Sequence, residues 1–173
     1  MIYTAHYDSP LGRLFLAADE EGLTGLWFEE AAHFADGLPV EREETETPVL
    51  AETKKWLDLY FRGQKPEFLP KLHPVGSKFR QEVWALLQEI PYGRTTTYGT
   101  LAKELAQRQG RTTVSAQAVG GAIGHNRISI LIPCHRVVGS SGSLTGYAGG
   151  LEKKVHLLKL EGVAMERFRW PEK

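Results

Sequence analysis

The chain has 173 residues, 42% of them apolar and 10% aromatic, which is enough to build a hydrophobic core in one domain or two small ones. One cysteine excludes an intramolecular disulfide, no apolar run is long enough to span a membrane, and the N-terminal stretch MIYTAHYDSPLG lacks the basic and apolar regions of a signal peptide, so we expect a soluble cytoplasmic protein. The zero net charge hides an asymmetry, because residues 1–76 hold seven basic and fourteen acidic residues (net −7) whereas residues 77–173 hold fourteen basic and seven acidic ones (net +7).

The first residues predict a small sheet. Short strands are expected at residues 2–7, 13–17 and 23–28, where β-branched, aromatic and aliphatic side chains are concentrated. Residues 9–12 and 19–22 carry the Ser, Pro, Asp and Gly that are typical of turns. Three strands joined by short turns indicate antiparallel pairing.

The rest of the first half predicts a loop, a helix and a linker. Residues 36–47 are acidic and contain Gly and Pro, so we predict a loop there. Thr47 is placed to cap a helix that begins at Pro48 and ends at Gly63. The proline-rich residues 64–76 predict a linker, so a first domain is expected to cover residues 1–76 together with that linker.

Residues 77–173 predict a second, mostly helical domain. Ser77 is placed to cap a helix that runs through residue 90. Thr97 is placed to cap a short helix that ends near residue 107, and Thr112 or Thr113 to cap a further helix that ends near Gly124. Two short helices around a Gly-bearing turn in a basic half resemble a DNA-binding helix-turn-helix, although this geometry and this charge asymmetry also occur in proteins that never bind DNA.

The last of these predicted helices is rich in glycine. Residues 115–124 read SAQAVGGAIG, and each interior Gly costs a helix roughly 0.5–1 kcal/mol relative to Ala. Such a sequence indicates either a surface that another molecule approaches closely or tight packing between helices. Gln117 is its only long side chain, so a DNA groove facing this helix would meet one extended polar group.

The tetrad Pro133-Cys134-His135-Arg136 contains the only cysteine. A lone thiol beside an imidazole is a candidate nucleophile and base, and nearby cationic groups are expected to lower the pKa of the thiol. The alternative is a buried structural thiol, because free cysteine behaves as a small hydrophobe. Pro133 and the two polar residues after Cys134 are unusual for a plain core position and favour function. The other histidines show no ligand spacing, so we expect no metal and no cofactor.

In the order and spacing of its motifs, this chain resembles the O6-alkylguanine-DNA alkyltransferase family, also called methylated-DNA–protein-cysteine methyltransferases. The segments that carry the resemblance are Phe79-Arg80…Val83-Trp84, Ile90-Pro91-Tyr92-Gly93…Tyr98, Ala116-Gln117-Ala118-Val119-Gly120, Asn126, Ile132-Pro133-Cys134-His135-Arg136-Val137, Gly146-Tyr147…Gly149-Gly150 and Lys154…Leu157-Leu158…Glu161-Gly162. The resemblance implies an α/β protein with a small N-terminal ribonuclease-H-like domain over residues 1–76. It also implies a mostly helical C-terminal domain over residues 77–173, with a helix-turn-helix, for DNA binding and alkyl transfer.

The resemblance also implies a reaction. Cys134 would take the alkyl group from O6-alkylguanine, and also from O4-alkylthymine, in double-stranded DNA, once per molecule and without a cofactor. His135 would act as a base, Glu161 would orient its imidazole, Asn126 would hold the turn before the active-site segment, and Tyr98 would serve guanine N3. Because adjacent side chains of an extended backbone point to opposite faces, we expect a bridging water rather than a direct hydrogen bond between Cys134 and His135.

The same resemblance assigns the binding residues. Main-chain carbonyls near Cys134 and Val137 would accept from the guanine amine, and the main chain at Tyr147, Ala148 and Gly149 would reach O6. The target atom is inaccessible inside a duplex, so the nucleotide must flip out, and Gln117 stands where many members carry an intruding Arg. Arg127 stands where Pro is usual. The residues expected to contact DNA are Thr97, Tyr98, Gly99, Ser115, Ala116, Gln117, Gly124 and Ser140.

Two other functions are compatible with parts of the sequence. A non-enzymatic alkylated-base-binding protein would share the DNA-binding residues, but proteins of that type replace the nucleophile, whereas Cys134 is present here. A thiol hydrolase or protease would need the thiol to be regenerated and an oxyanion hole, and no arrangement for the latter is identifiable. We therefore expect a repair protein that acts as a monomer on duplex DNA and has no membrane partner.

Overall fold

The computed structural model describes residues 1–31, 34–35 and 37–169, and the chain divides into two compact units. The first unit contains Met1–Val75 together with Arg127–Leu131, and the second contains Gly76–Asn126 and Ile132–Lys173. The predicted boundary after residue 76 placed residues 127–131 in the second domain, whereas they belong to the first of these units. None of the helices in the described part of the chain has the length and apolar character needed to cross a membrane.

The first unit is built on a four-stranded sheet in the order β3-β2-β1-β4. Strand β1 (Tyr3–Ser9) pairs antiparallel with β2 (Gly12–Ala18), and β2 pairs antiparallel with β3 (Leu23–Phe28), which confirms the three predicted strands. The short strand β4 (Glu43–Glu44) pairs parallel with β1. The prediction that residues 36–47 form only a loop was therefore wrong there, because two exposed glutamates carry no alternating pattern that would indicate a strand.

The outer edge of β3 is covered by two short stretches of chain. The four hydrogen bonds run from Leu23 N–H to Lys71 O (2.8 Å), His73 N–H to Leu23 O (2.7 Å), Leu26 N–H to Arg127 O (2.8 Å) and Ser129 N–H to Leu26 O (2.9 Å). The predicted linker is thus part of the first unit, since residues 71–73 satisfy backbone groups that an edge strand would otherwise expose. Ile128 and Leu26 are fully buried at the second contact.

Helix α1 (Pro48–Phe61) covers β1 and β2. The hydroxyl of Thr47 accepts from Leu50 N–H at 3.4 Å, and Pro48 occupies the first helical turn, as predicted. The helix ends before Gly63, whose φ of 80° requires the freedom of glycine. Its apolar face carries Leu50 and Leu57, both without solvent exposure, and burial of such a side chain contributes roughly 1.5–3 kcal/mol.

The described part of the second unit contains four α-helices, and the first two have the predicted caps. Helix α2 (Lys78–Gln88) is capped by the Ser77 hydroxyl, which accepts from Arg80 N–H at 3.2 Å, and it ends two residues earlier than predicted. Helix α3 (Tyr98–Gln109) is capped by Thr97, whose hydroxyl accepts from Thr100 N–H at 3.1 Å. Gly110 ends α3 in the left-handed conformation, with φ 65°.

Helix α4 (Ala116–Gly124) begins later than predicted. Its cap is Ser115, which accepts from Ala118 N–H at 3.2 Å, so the choice of Thr112 or Thr113 was wrong. Thr112, Thr113 and Ser115 all carry hydroxyls before this helix. Only Ser115 is placed to accept from an N–H of the first helical turn, which has no carbonyl partner inside the helix. Helices α3 and α4 pack together, and the indole N–H of Trp84 in α2 donates to Ala122 O in α4 at 2.9 Å.

A short parallel pair of strands completes the frame of the site. Strand β5 (Thr96–Thr97) leads directly into α3, and β6 (Val137–Val138) follows the cysteine tetrad; they pair as Thr96 with Val137 and Thr97 with Val138. Helix α5 (Leu151–Leu160) packs against the turn that carries the cysteine. The start of α3, the tetrad and the end of α5 therefore meet inside one unit.

Candidate active site

Cys134 opens a 3₁₀ turn, Cys134–Arg136, and only 5% of the residue is exposed. The turn is closed by hydrogen bonds from Arg136 N–H to Pro133 O (3.0 Å) and from Val137 N–H to Cys134 O. The assumption of an extended backbone at Cys134 and His135 was therefore wrong, because Pro133 leads the chain into a turn. The bridging water between these two side chains remains a prediction that rests on the family resemblance alone.

Asn126 connects the end of α4 to the nucleophile. Its buried side-chain amide Nδ2 donates to Ile132 O at 2.8 Å and to the Cys134 Sγ at 3.3 Å. The Asn126 side chain thus fixes the backbone at Ile132, just before the tetrad, and also contacts the sulfur of Cys134. An N–H donated to sulfur favours the thiolate over the thiol, because the hydrogen bond is stronger to the charged acceptor.

The carboxylate of Glu161, at the C-terminal end of α5, lies against the tetrad. Its Oε2 is 2.6 Å from His135 Nε2, and the guanidinium of Arg136 donates to both carboxylate oxygens, at 2.8 Å from Nε and 3.2 Å from Nη2. His135 is fully buried and Glu161 is 6% exposed. These hydrogen bonds place an acid, an imidazole and a guanidinium in one buried cluster at Cys134.

Two further contacts fix this cluster in place. The main-chain N–H of Gly93 donates to Glu161 Oε1 at 2.9 Å, and Arg136 Nη1 donates to Ile90 O at 2.7 Å. Gly93 has φ 77°, a conformation that favours glycine, and a Cβ there would make a tight contact of 3.1 Å with the Glu161 carbonyl oxygen. The Pro-Tyr-Gly segment, which was quoted above as a motif of the family resemblance but was given no role, therefore anchors the carboxylate through its glycine.

The protonation states of the cluster follow from burial and hydrogen bonding. Burial would raise the pKa of Glu161, but the hydrogen bonds from His135 and Arg136 and the positive charge of Arg136 outweigh burial and lower the pKa to about 2. Burial lowers the pKa of His135, and the Glu161 carboxylate opposes this only in part. A neutral imidazole that faces an ionised carboxylate through Nε2 must carry its proton there, so Nδ1 is its basic nitrogen.

The thiol itself is neutral in this fold. Burial raises the pKa of Cys134, and the Asn126 hydrogen bond and the positive charge of Lys154 lower it by less than burial raises it. The expectation that cationic neighbours would lower the thiol pKa was therefore wrong in its net direction, because complete burial dominates. A neutral thiol must lose a proton to react, and the neutral imidazole next in the chain can accept one.

The residues predicted to hold the base surround the tetrad. Val137 is fully buried, and the Tyr98 hydroxyl donates to Thr145 O at 3.3 Å. The ring of Tyr147 lies edge-on to His135, with centroids 6.5 Å apart. Residues Ala148 and Gly149 form a turn closed by a hydrogen bond from Gly150 N–H to Tyr147 O at 2.9 Å. The roles of these residues in binding guanine remain predictions.

The residues predicted to contact DNA lie mainly at the surface of the second unit. Ser115, Ala116, Gln117, Gly124 and Ser140 are exposed, whereas Thr97, Tyr98 and Gly99 are partly buried at the start of α3. Among the described residues, nothing lies within 4 Å of a Cβ built on Gly121 or Gly124, so tight internal packing does not explain these two glycines. Gly120 is different, because such a Cβ would lie 3.8 Å from the Tyr98 ring.

Three residues of the site were not assigned a role from sequence. They are Gly93 and Arg136, described above, and Lys154, whose Nζ donates to Val137 O at 2.5 Å, to Thr145 O at 2.8 Å and to Gly146 O at 3.5 Å. The only sequence signal for Arg136 was its place in the tetrad, directly after Cys134 and His135. Within residues 1–31, 34–35 and 37–169, no group of three His, Cys, Asp or Glu side chains is arranged to hold a metal ion.

Models of two known domains match almost the whole chain. Residues 78–163 match the DNA binding domain of 6-O-methylguanine DNA methyltransferase, and residues 2–73 match the ribonuclease-like domain of the same family. The second match agrees with the predicted ribonuclease-H-like character of the N-terminal part. The two matches together contain every residue predicted for the site.

Relatives from other organisms match over most of their length. The methylated-DNA–protein-cysteine methyltransferase of Methanosarcina acetivorans is 43% identical over 164 residues, covering 93% of this chain and 99% of that protein. The protein of the same name from Haemophilus influenzae is 40% identical over 94% of this chain and 87% of its own length. The crystal structure of Mycobacterium tuberculosis OGT in complex with DNA is similar with a TM-score of 0.78 and 38% identity, covering 96% of this chain and 94% of that one.

Proposed function

This chain belongs to the methylated-DNA–protein-cysteine methyltransferase family, and from that premise we propose that it repairs DNA directly by transferring the alkyl group of O6-alkylguanine in duplex DNA to the sulfur of Cys134. The observation that carries the proposal is the buried cluster around the only cysteine. Asn126 donates to its sulfur, and the next residue is an imidazole held by an ionised carboxylate at 2.6 Å. A thiol that served only as an apolar core side chain would not be expected to have either contact.

The proton of the thiol goes to His135 in this mechanism. A water passes it from Sγ to Nδ1, since Nε2 already carries the proton that faces Glu161. The thiolate attacks the alkyl carbon, the S–C bond forms as the O6–C bond breaks, and guanine leaves with the bonding electrons on O6. Glu161 stabilises the imidazolium that results, and Asn126 holds the sulfur in place throughout.

The leaving guanine is held by the surrounding main chain. The Val137 carbonyl accepts from its exocyclic amine, and the backbone of residues 147–149 donates towards O6. The Tyr98 hydroxyl exchanges its hydrogen bond to Thr145 O for one donated to N3. Donors placed where negative charge develops lower the barrier, because they act in a buried site that is shielded from bulk solvent. Burial raises the pKa of Tyr98, so the hydroxyl keeps its proton and remains a donor at neutral pH.

The nucleotide reaches this site by flipping out of the duplex. The exposed first turn of α4 enters a groove, and Gln117 fills the space that the base leaves. Gln117 can hydrogen-bond the orphaned partner base but adds no charge. The basic second half supplies sequence-independent attraction to the DNA phosphates. The protein is cytoplasmic and binds duplex DNA as a monomer. O4-alkylthymine is a second substrate of the same site.

Transfer occurs once per molecule. A thioether offers no good leaving group, and the chain has no second thiol that could remove the alkyl group. An alkylated-base-binding protein without repair activity has the same DNA-binding elements but no nucleophile, and the presence of Cys134 favours transfer over binding alone. A thiol hydrolase would turn over repeatedly, which distinguishes it from a protein that stops at one equivalent.

Intact-mass analysis after incubation with O6-methylguanine duplex tests the proposal. We expect a mass increase of a single methyl group on the wild-type protein, mapped by peptide analysis to Cys134. The Cys134→Ser variant should take up no methyl group but keep its affinity for the duplex. Unmodified duplex is the matched control. Product formation beyond one equivalent, or methylation at any other residue, would contradict the proposed reaction.

A further inference from the structure

A small cavity is lined entirely by residues of the first unit. Its volume is about 190 Å³, which is below the roughly 300–1,000 Å³ of pockets that hold drug-sized ligands. Apolar side chains form most of its wall, among them those of Ile2, Trp27, Leu38 and Val75. Two charged side chains, those of Asp19 and Arg127, also line it. The proposed alkyl transfer makes no use of these residues.

Arg127 stands where Pro is usual in the family, and its guanidinium lies on a glycine. The Arg127 carbonyl oxygen accepts from Leu26 N–H at 2.8 Å, which fixes its backbone to β3. A Cβ built on Gly37 would lie 2.8 Å from Cζ and from Nη1 of Arg127 and 2.9 Å from Nη2. Nearly equal distances to three atoms of a planar group mean that the guanidinium turns its flat face, and not its edge, towards Gly37. The N–H donors along its edge therefore remain available to another group.

These donors lack partners. The Nε of Arg127 is buried and has no hydrogen-bond acceptor, and among the described residues no carboxylate forms an ion pair with the guanidinium. Buried donors in folded proteins are nearly always satisfied by protein or by ordered water, so an orphaned one indicates a group that is bound in another state of the molecule. Because the arginine lines the cavity, the missing acceptor is expected there.

The carboxylate of Asp19 does not fill this role. Its Oδ1 accepts from the main-chain N–H groups of Glu21 (2.8 Å) and Gly22 (3.0 Å), and its Oδ2 lies 2.7 Å from His73 Nδ1. Burial would raise the pKa of Asp19, but these hydrogen bonds outweigh it and lower the pKa below its ordinary value, so the group stays ionised at neutral pH. A fixed negative charge in the wall disfavours a ligand with two negative charges more than a ligand with one.

The indole of Trp27 gives the cavity a flat apolar surface. Trp27 is 4% exposed, and its benzenoid ring lies over Gly25, where a Cβ would overlap the ring. The indole and the guanidinium of Arg127 are thus each seated against a glycine that a larger residue would displace. An inorganic anion would satisfy the guanidinium but leave this surface without contact, whereas a ligand with an apolar body would cover both.

We propose that this cavity is a binding site for a small organic carboxylate, whose two oxygens accept from the Arg127 guanidinium and whose flat apolar body lies against Trp27. The planar fork of a guanidinium matches the geometry of a carboxylate, which carries the single negative charge that Asp19 allows. The site is formed by the first unit alone, so this inference goes beyond the proposed repair reaction and does not depend on it.

An NMR titration of the isotope-labelled full-length protein tests the site. The probe is benzoate, a small flat carboxylate; benzamide has its shape without the charge, and inorganic phosphate has charge without an apolar body. We expect benzoate to shift the signals of the Trp27 indole N–H and the Arg127 Nε–H saturably, with a Kd on the order of 1 mM, as is reasonable for so few atoms. Benzamide and phosphate should each bind at least about tenfold more weakly.

Three variants separate the guanidinium from general charge. Arg127→Gln removes both the charge and the fork and should weaken benzoate binding at least about tenfold. Arg127→Lys keeps the charge without the bidentate geometry, so its Kd should lie between those of the wild type and Arg127→Gln. Arg13→Gln is the matched control, because it removes an exposed arginine of the same unit that does not line the cavity, and it should leave the Kd unchanged.

Each outcome decides the proposal. A benzoate titration without a saturable shift at Trp27 well above the expected Kd would overturn it, and so would a Kd that Arg127→Gln leaves unchanged. Equal affinity for benzamide would show that the charge is not used, and equal affinity for phosphate would show that the apolar body is not used; either result refutes a carboxylate site of this kind. If Arg127→Gln does not fold, the comparison of the three probes on the wild-type protein decides instead.

Discussion

Replacement of Glu161 by Gln tests the buried cluster most directly. The carboxylate accepts from His135, from two nitrogens of Arg136 and from Gly93 N–H, and it is 6% exposed. An amide in the same place presents an NH₂ group to at least one of these donors and has no charge for the guanidinium. Glu161→Gln therefore leaves Arg136 buried without its counter-ion and releases the imidazole of His135 from its fixed tautomer.

The expected loss of stability can be worked out in two ways. Removal of one partner of a buried ion pair costs about 3–5 kcal/mol. The pKa of Glu161 is lowered from 4.5 to about 2 in the folded protein, which corresponds to about 3 kcal/mol of stabilisation. Because the folded pKa is depressed, this stabilisation is complete above pH 4.5 and is lost as the pH falls towards 2. The two estimates agree in size, so we expect a destabilisation of about 3 kcal/mol at neutral pH.

Urea unfolding at neutral pH and in the acid range measures this loss. The wild type should lose the Glu161 contribution between pH 4.5 and 2, and Glu161→Gln should show a correspondingly flatter stability profile there. Single-turnover transfer from O6-methylguanine duplex should also slow by roughly a hundredfold or more, which is the usual contribution of a positioned base. Glu166→Gln, at an exposed position shortly after Glu161, is the control. It should change the free energy of unfolding by no more than about 0.5 kcal/mol and leave the transfer rate unchanged.

Two results would refute this reasoning. A variant with wild-type stability at neutral pH would mean that Arg136 does not depend on the carboxylate. A variant that is destabilised but transfers methyl groups at the wild-type rate would mean that His135 needs no orientation by Glu161, and the proton would have to leave Cys134 by another route.

Three further predictions follow from the described geometry. Gln117→Ala should slow repair of duplex DNA much more than reaction with free O6-benzylguanine, and Gln117→Arg should preserve or improve duplex repair; equal slowing of both substrates by Gln117→Ala would assign the residue to the fold of the site instead. The affinity for duplex should fall steadily in a salt series, by roughly a hundredfold for a fourfold rise in salt if about four phosphates are contacted, and a flat response would exclude electrostatic binding by the basic half. Gly93→Ala should cost about 1–3 kcal/mol in a thermal or urea unfolding assay and more than Gly110→Ala, because both sites have positive φ but only a Cβ at Gly93 meets a neighbouring backbone atom; equal losses would show that strain alone is responsible.

Elements with local chemical cues could be predicted from the sequence. The hydroxyls of Thr47, Ser77 and Thr97 each cap the helix that was expected to follow, because a cap acts within three residues of itself. The strands β1, β2 and β3 could also be predicted, from segments rich in β-branched, aromatic and aliphatic residues that are separated by turn residues. The cap of α4 was misplaced because Thr112, Thr113 and Ser115 offer the same chemistry within one short stretch.

The parts that could not be predicted depend on contacts between distant segments. Nothing local distinguishes Lys154 from a surface lysine of an amphipathic helix, since its partners lie in the segments of Val137 and Thr145. The net rise in the pKa of Cys134 depends in the same way on how completely the folded chain buries it. The family resemblance identified the cluster of Cys134, His135 and Glu161, but the role of Arg136 within it became visible only from the hydrogen bonds of the carboxylate.

The covered edge of β3 has a consequence for how this protein is made. Its Leu26 bonds to Arg127 and Ser129, which a ribosome adds about a hundred residues after the strand itself, so the first unit cannot be completed early in synthesis. Until residue 131 has left the exit tunnel, the backbone of Leu26 is an open pairing edge that invites association between nascent chains. A recombinant fragment that stops at residue 76 would carry the same open edge permanently, whereas one that begins at residue 77 would keep the segment 127–131 without the sheet it pairs with. The two halves of this sequence are therefore best expressed as one polypeptide.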